Sequence, residues 1–392
     1  MLTHMPFPSW LPLLLGLLSA VGPLSTDMYL PAFPAIEAAL GGRAQVTLAT
    51  WFVGLAFGQM TWGTLSDRYG RRIPLLLGTG LFSAGTIGCA LAPDLPTLAV
   101  MRLICGFGGS AGMVITRAIV RDLADGQAAA RLMSRLTLVM GAAPILAPSL
   151  GGIVMAATGW QAIFWILMVY GALCFAAVAA FLPETLPERA RVKLGAGAIV
   201  ARYAHVIGER SFITHTLMGG FATAGMFAYL GGSPGVFIEV FHLTPPQYGS
   251  LFGVCAAGFI AASQINPRIL PRFGADRVMR FGVRIFCLST ACMLAAAIVG
   301  TWGFLSIGIP VFFCMSCQGF TMPNTVVGAL SRHAGHAGAA SALMGTLHFS
   351  LGAVSGLLVG LLTDGSARPM AALMFGCAIC AALCDLGRPK RQ

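Results

Sequence analysis

The sequence predicts an all-α membrane protein, with twelve transmembrane helices arranged as two pseudo-symmetric six-helix bundles. Three observations predict it. Of the 392 residues only 9% are charged and 57% are hydrophobic, against roughly 25% charged in a soluble domain, so a water-facing surface cannot be covered. Apolar stretches near the roughly 20 residues that span a hydrocarbon core recur along the whole chain, at residues 10–33, 45–66, 73–92, 96–120, 132–157, 160–182, 211–238, 247–266, 278–300, 303–325, 338–362 and 367–386. The cations are segregated. Among 24 Lys and Arg, Arg43 and Arg368 fall in odd-to-even connections and Arg102 falls inside the fourth span, while the rest gather on the other side. That asymmetry puts both termini, including the tail RPKRQ, in the cytoplasm.

The first span has no Lys or Arg in its first nine residues and no A-x-A site after its apolar run. It therefore reads as a retained helix rather than a secretory signal. Near its outer end, LSTDMYLPAFP places the carboxylate of Asp27 among apolar residues. A charge in a bilayer costs roughly 2.5 to 3.5 kcal/mol on insertion scales, so a sequence that keeps one uses it. The fourth span holds Arg102 in RLICGFGGSAG. Both residues lie about six positions from the outer ends of their spans, roughly 9 Å deep at about 1.5 Å per residue. Each is the natural partner of the other where lone charges are avoided. A conformational change that alters their contact can take up or release a proton; a static ion pair joining two helices is the alternative.

The second span ends in GTLSDRYGRRIPL, a tight basic turn in which Gly63 and Gly70 permit close approach and Asp67 can face the positive end of another helix. The fifth span contains MGAAPILAPSLGG, whose Pro144, Pro148, Gly151 and Gly152 favour a bent, closely packed helix. The longest polar interval, from Pro183 to Arg210, divides the chain into a bundle over 1–183, a linker over 184–210 and a bundle over 211–392. RYG at residues 68–70 recurs as RFG at residues 272–274, each after the second span of its half. Tyr29, Tyr229, Ser233, Gln264, Asn324 and His348 are expected to line a cavity between the halves, with His348 read first as a hydrogen-bonded packing residue.

Other function classes are excluded or disfavoured. No Walker phosphate loop is present, so ATP is not the energy source. Cys314 and Cys317, and Cys377 and Cys380, form C-x-x-C pairs inside expected helices, without the loop ligands of a zinc site. Disulfides are not expected, because almost all eleven Cys fall in spans. No cofactor is expected and no catalytic constellation appears, so the chain is not read as an enzyme. Basic clusters beside anionic lipid head groups account for the net charge of +11 without nucleic acid. A monomer is expected.

The motifs add a family. GTLSDRYGRRIPL resembles the G-x-L-a-D-r-x-G-r-k-x-x-l signature of the major facilitator superfamily's first cytoplasmic loop, with Arg72 for the usual Lys. The resemblance implies a conformational gate made of Gly63, Asp67, Arg68, Gly70, Arg71 and Arg72, with Asp67 facing the start of the eleventh helix, here AGHAGAASAL. RLICGFGGSAG is similar to the fourth-helix motif of drug:proton antiporters, with Cys105 in place of Gln, and MGAAPILAPSLGG resembles their fifth-helix antiporter motif. LSTDMYLPAFP, YLGGSPGVFIE and AGAASALMGTLHF resemble the bicyclomycin and chloramphenicol resistance (Bcr/CflA) subfamily. These resemblances imply a carrier of the bacterial inner membrane that exports hydrophobic drugs against protons, with substrate held between the halves near the midplane. A carrier of a natural metabolite, such as a sugar or nucleoside, is the alternative within the same fold.

Overall fold

The computed structural model describes residues 8, 10–124, 126–191, 196–300, 303–332 and 337–388, and among them every regular element is helical. The first half contains α1 (Leu11–Asp27), α2 (Phe33–Leu40), α3 (Gln45–Tyr69), α4 (Arg72–Ala90), α5 (Leu95–Leu123), α6 (Gly126–Thr158) and α7 (Trp160–Phe181). After α8 (Ala196–Ile207) come α9 (Arg210–Pro234), a π-helical turn (Gly235–Val240), α10 (Pro245–Phe273), α11 (Ala275–Val299), α12 (Leu305–Leu330), α13 (Ala337–Leu362) and α14 (Arg368–Leu386). Among the described residues, 10 helical spans are long and apolar enough to cross a membrane. Leu77, Leu173, Leu288 and Leu361 are exposed on them, as lipid-facing positions must be.

Several boundaries differ from the sequence reading, among them the start of α6 at 126 against 132 and the end of α10 at 273 against 266. The first span does not stop at Phe33. It breaks after Asp27, passes through a 3-10 turn at Leu30–Ala32 and continues as α2 to Leu40. Pro31 and Pro34 explain the break, since neither offers an N–H to a continuing ladder. The interval between the halves is not wholly irregular, because α8 forms within it and packs on α13. Val206 of α8 joins the apolar cluster of Phe212, Ala329, Ala340, Leu343 and Met344. In α5 the helix runs past residue 120 to Leu123, which carries the exposed Arg121 inside the helix.

Within the first half α3 and α4 pack on α5, α4 on α7, and α1 on α5 and α6. The second half repeats this scheme, with α10 and α11 on α12, α11 on α14, and α9 on α12 and α13. Small residues allow the closest of these approaches. A Cβ on Gly54 would lie 2.2 Å from the Leu103 carbonyl oxygen, and one on Gly106 2.2 Å from that of Trp51, so α3 and α5 touch backbone to backbone. The repeated Arg-aromatic-Gly turns also match in space. Gly70 ends α3 with φ 90° and Gly274 ends α10 with φ 75°, left-handed conformations that glycine adopts without steric cost.

The halves meet where α3 packs on α13 and α6 on α10. Contacts run inward from the end opposite the termini. A Cβ on Gly360 would lie 2.7 Å from that of Gln45, and one on Gly152 2.6 Å from the Pro245 carbonyl oxygen. Deeper, Phe52 stacks on Phe227 with centroids 3.8 Å apart and planes 7° apart, and Phe349 stacks beside both. The Thr346 hydroxyl then donates to the Ala56 carbonyl at 3.1 Å.

Candidate functional site

The break in the first span sets Asp27 at the last turn of α1, next to the seam between the halves. The α6 motif packs against this break. A Cβ on Gly151 would lie 1.8 Å from the Met28 carbonyl oxygen, so only glycine fits there. On the other side Gly152 meets Pro245, and the Pro148 carbonyl oxygen lies 2.6 Å from where a Gly249 Cβ would sit. Pro148, Gly151 and Gly152 thus join α6 to both α1 and α10, while Pro144 is half-buried one turn earlier in the same helix.

Asp27 is buried and makes no ion pair or side-chain hydrogen bond among the described residues. It acts electrostatically on Tyr229 and Tyr248, both on the opposite half. The expected ion pair with Arg102 does not form in this conformation. Arg102 is fully buried, and its Nη1 donates to the Ser25 hydroxyl at 2.8 Å. Its guanidinium carbon lies 4.5 Å from the Tyr29 ring centroid, 4.6 Å from Trp51 and 5.9 Å from Phe164. Three ring faces offer a dry guanidinium what a carboxylate would otherwise supply. Its Nε and Nη2 still lack hydrogen-bond partners among the described residues.

The expected cavity residues divide into groups. Tyr29 belongs to the Arg102 cage, and its hydroxyl hydrogen-bonds Thr47. Tyr229 stacks on Phe252 at 5.5 Å, and the thiol of Cys255 adjoins its buried hydroxyl. Ser233 hydrogen-bonds the Tyr248 hydroxyl at 2.8 Å. Together these residues surround the seam at Asp27. The others do not join them. Asn324 donates to Asn266 at 2.9 Å and to the Phe320 carbonyl at 2.7 Å, binding α12 to α10. His348 Nε2 lies 3.0 Å from the Thr216 carbonyl, between α13 and α9, which is the packing role expected first. Gln264 is exposed on α10. Sequence reasoning missed Ser25, Trp51, Phe164 and Tyr248, which carry no local signal because only packing brings them to the two charges.

At the end bearing the termini, the basic turn forms a clamp within the first half. Arg71 donates to Asp67, to Ser66 at 3.0 Å and to Asp122 of α5 at 2.8 Å. Burial works against its charge, but the carboxylates of Asp122 and Asp67 outweigh that and raise its guanidinium above the ordinary value. The backbone N–H groups of Arg71 and Arg72 donate to Glu184, just beyond α7. Burial opposes the Glu184 charge, yet bonds from the Arg71, Leu186 and Arg72 N–H groups and the field of Arg191 hold its carboxyl below the usual range. Gly70 is required twice: for its positive φ, and because a Cβ would lie 2.3 Å from Glu184 Oε2. Gly63 is not a turn residue. It lies within α3, where a Cβ would find ordinary contact at 3.7 Å from Val114.

Arg72 donates from Nη2 to the Ala179 carbonyl at 2.6 Å, and Arg68 lies over the Tyr69 ring. Asp67 is half-exposed beside Arg71. Its expected partner, the start of the eleventh helix, lies partly outside the described residues, at 333–336. The second half holds a corresponding clamp of reversed sign. Arg388, beyond α14, pairs with Asp276 at the start of α11 at 2.8 Å, and with Asp385.

The Major Facilitator Superfamily profile matches residues 15–357. The chain is 35% identical to the uncharacterized MFS-type transporter YdgK of Bacillus subtilis, over 97% of this chain and 95% of the relative. It is 30% identical to the bicyclomycin resistance protein homolog of Haemophilus influenzae, over 95% of this chain and 94% of the relative. Among solved structures, a D-xylose-proton symporter superposes with a TM-score of 0.73 over 96% of this chain and 95% of its own, at 14% identity, a likeness of fold alone.

Proposed function

The chain belongs to the Major Facilitator Superfamily, and on that premise we propose that it is a proton-coupled antiporter that exports hydrophobic drugs of the bicyclomycin and chloramphenicol type by alternating access. It is a transporter and not an enzyme. The observation that carries the finer reading is Asp27, a buried carboxylate at a helix break, at the seam, facing Tyr229 and Tyr248 of the other half. A group so placed gains and loses its surroundings whenever the halves rock. Its affinity for a proton therefore differs between the two states, and that difference is coupling.

In this reading Asp27 carries the proton, and Arg102 fixes the local field and the shape of the pocket through Ser25, Tyr29 and Trp51. The hydroxyl of Tyr229, with only the weakly bonding Cys255 thiol beside it, and the adjoining ring of Phe252 offer a drug one polar contact and an apolar face. Residues 1–183 and 211–392 move as the two bundles, joined by the linker at 184–210, and the turn at Gly70 to Arg72 belongs to the gate. The distribution of Lys and Arg supports cytoplasmic termini in a bacterial inner membrane, and in this reading the chain acts as a monomer. The similarity to a bicyclomycin resistance protein homolog supports the drug class.

The test is export into everted vesicles. Drug uptake should stand only while a pH gradient stands, stop with a protonophore and not return with ATP. Uptake that persists without a gradient would rule out proton coupling.

A further inference from the structure

At the end opposite the termini, α2 packs on the π-helical turn Gly235–Val240. A cavity opens there, lined from the first half by Glu37, Arg43 and Gln45 and from the second by Glu239. Glu37 accepts the Ala44 N–H at 2.8 Å through Oε1, while Glu239 makes no side-chain hydrogen bond among the described residues. The two carboxylates act on each other across the seam, and Arg43 acts on Glu37 with the opposite sign. Gln45 is 5% exposed, and its Oε1 has no hydrogen-bond partner among the described residues. A buried amide carbonyl without a donor costs free energy until a donor arrives.

The charged part of this lining is net acidic, with the hydroxyls of Thr363 and Ser366 beside it. Two carboxylates and one buried carbonyl face one guanidinium, and Phe33 adds an aromatic wall. A cation bearing N–H groups would satisfy Gln45, relieve the repulsion between Glu37 and Glu239, and lie against the ring. An anion would meet two like charges. A neutral drug would leave both carboxylates uncompensated. We propose that this cavity is a second binding site, on the extracytoplasmic side of the seam, for organic cations carrying amino groups. It rests on the reading above only in taking that cation to be a transported substrate. Because both halves supply its walls, cation binding here and opening of the seam are alternatives.

Direct binding tests the site without relying on transport. Ethidium, a cation with two amino groups, is titrated into purified protein in detergent and followed by fluorescence polarisation, with neutral chloramphenicol as control. The double variant Glu37→Gln with Glu239→Gln should weaken ethidium about fivefold to tenfold, as two partly screened charge contacts imply, and change chloramphenicol less than about twofold. Gln45→Leu, which fills the same space without the carbonyl, should weaken ethidium as well. Arg43→Gln should tighten it, because the repelling charge is gone. Each variant is checked for parental thermal stability, so that a lost fold is not read as a lost site. Parental ethidium affinity in the double variant, or weaker binding in Arg43→Gln, would overturn the proposal. Those results would leave proton-coupled export of neutral drugs untouched. Loss of coupling at Asp27 with the ethidium pattern intact would do the reverse.

Discussion

Arg102 hydrogen-bonds Ser25, two residues before Asp27 on the same helix, and leaves the carboxylate of Asp27 to face the opposite half. The two buried charges are therefore divided between tasks. The guanidinium holds the first half together, and the carboxylate waits at the seam.

That division can be measured by a double-mutant cycle. Ser25→Ala and Arg102→Gln remove two ends of one contact, so their effects on thermal unfolding in detergent should fall short of additive by about 1 kcal/mol. Asp27→Asn and Arg102→Gln should add. Coupling of similar size between Asp27 and Arg102 would restore the ion pair that the sequence suggested.

Asp27→Asn keeps the size of the side chain and removes its proton. Substrate-induced proton release from purified protein should vanish, while downhill drug exchange persists. Undiminished release would move the coupling group elsewhere.

Gly70→Ala should be among the most damaging single substitutions at the end of the molecule bearing the termini. The positive φ costs roughly 1 to 2 kcal/mol for a residue with a Cβ, and the added carbon displaces Glu184 from the two N–H groups it receives. Gly63→Ala should change stability by less than about 0.5 kcal/mol. Melting temperatures of the two variants give the comparison, and equal losses would count against the clamp.

Glu184 also predicts a pH dependence. Its carboxyl is held below the ordinary value, so the stabilisation it brings is present above the unfolded carboxylate pKa, about 4.3, and is lost as pH falls through the folded value. The contribution is below about 1 kcal/mol because the side chain is exposed to solvent screening. Glu184→Gln should therefore unfold earlier than the parent near pH 7 and approach it below about pH 4. A constant gap across that range would assign the effect to packing instead.

The seam offers a mechanical test. Gln45→Cys with Gly360→Cys, in a background where the exposed Cys292 is Ser, should form a disulfide on mild oxidation once the two helices give way from a Cβ separation of 2.7 Å to the roughly 3.5–4.5 Å that a bridge needs. The bridged protein should stop exporting drug, and reduction should restore it. Export at the parental rate while bridged would mean that this end never opens.

The fold was legible because lipid leaves a coarse signature. Apolar length and the side on which Lys and Arg lie survive without any knowledge of contacts, and they located most spans to within a few residues, while the first, fifth and eighth run six or seven residues further. The first span misled because its apolar run seemed to end at Phe33, although Pro31 and Pro34 within LPAFP already marked a break rather than an end. Asp27 and Arg102 stood out because charges are rare in such helices. Their partners did not, because Trp51 and Phe164 are ordinary apolar residues until packing turns their rings toward a guanidinium. Gly63 and Gly70 looked alike in the motif, and only the backbone separates a helix interior from a left-handed turn. Glu184 was hidden in a polar stretch among other charges.

Glu184 and Arg388 each stand just past the last helix of a half, beside the helix start that follows the Arg-aromatic-Gly turn. In the first half a carboxylate receives the Arg71 and Arg72 end of α4. In the second a guanidinium receives Asp276 at the start of α11. Had the symmetry been perfect, either terminus could have seated itself against either turn as the chain entered the membrane. Because the sign is reversed, a crossed arrangement would set Glu184 against Asp276 and Arg388 against Arg71 and Arg72, like against like in both places. Each half can recognise its own last helix, and a molecule built from near-copies assembles without exchanging them.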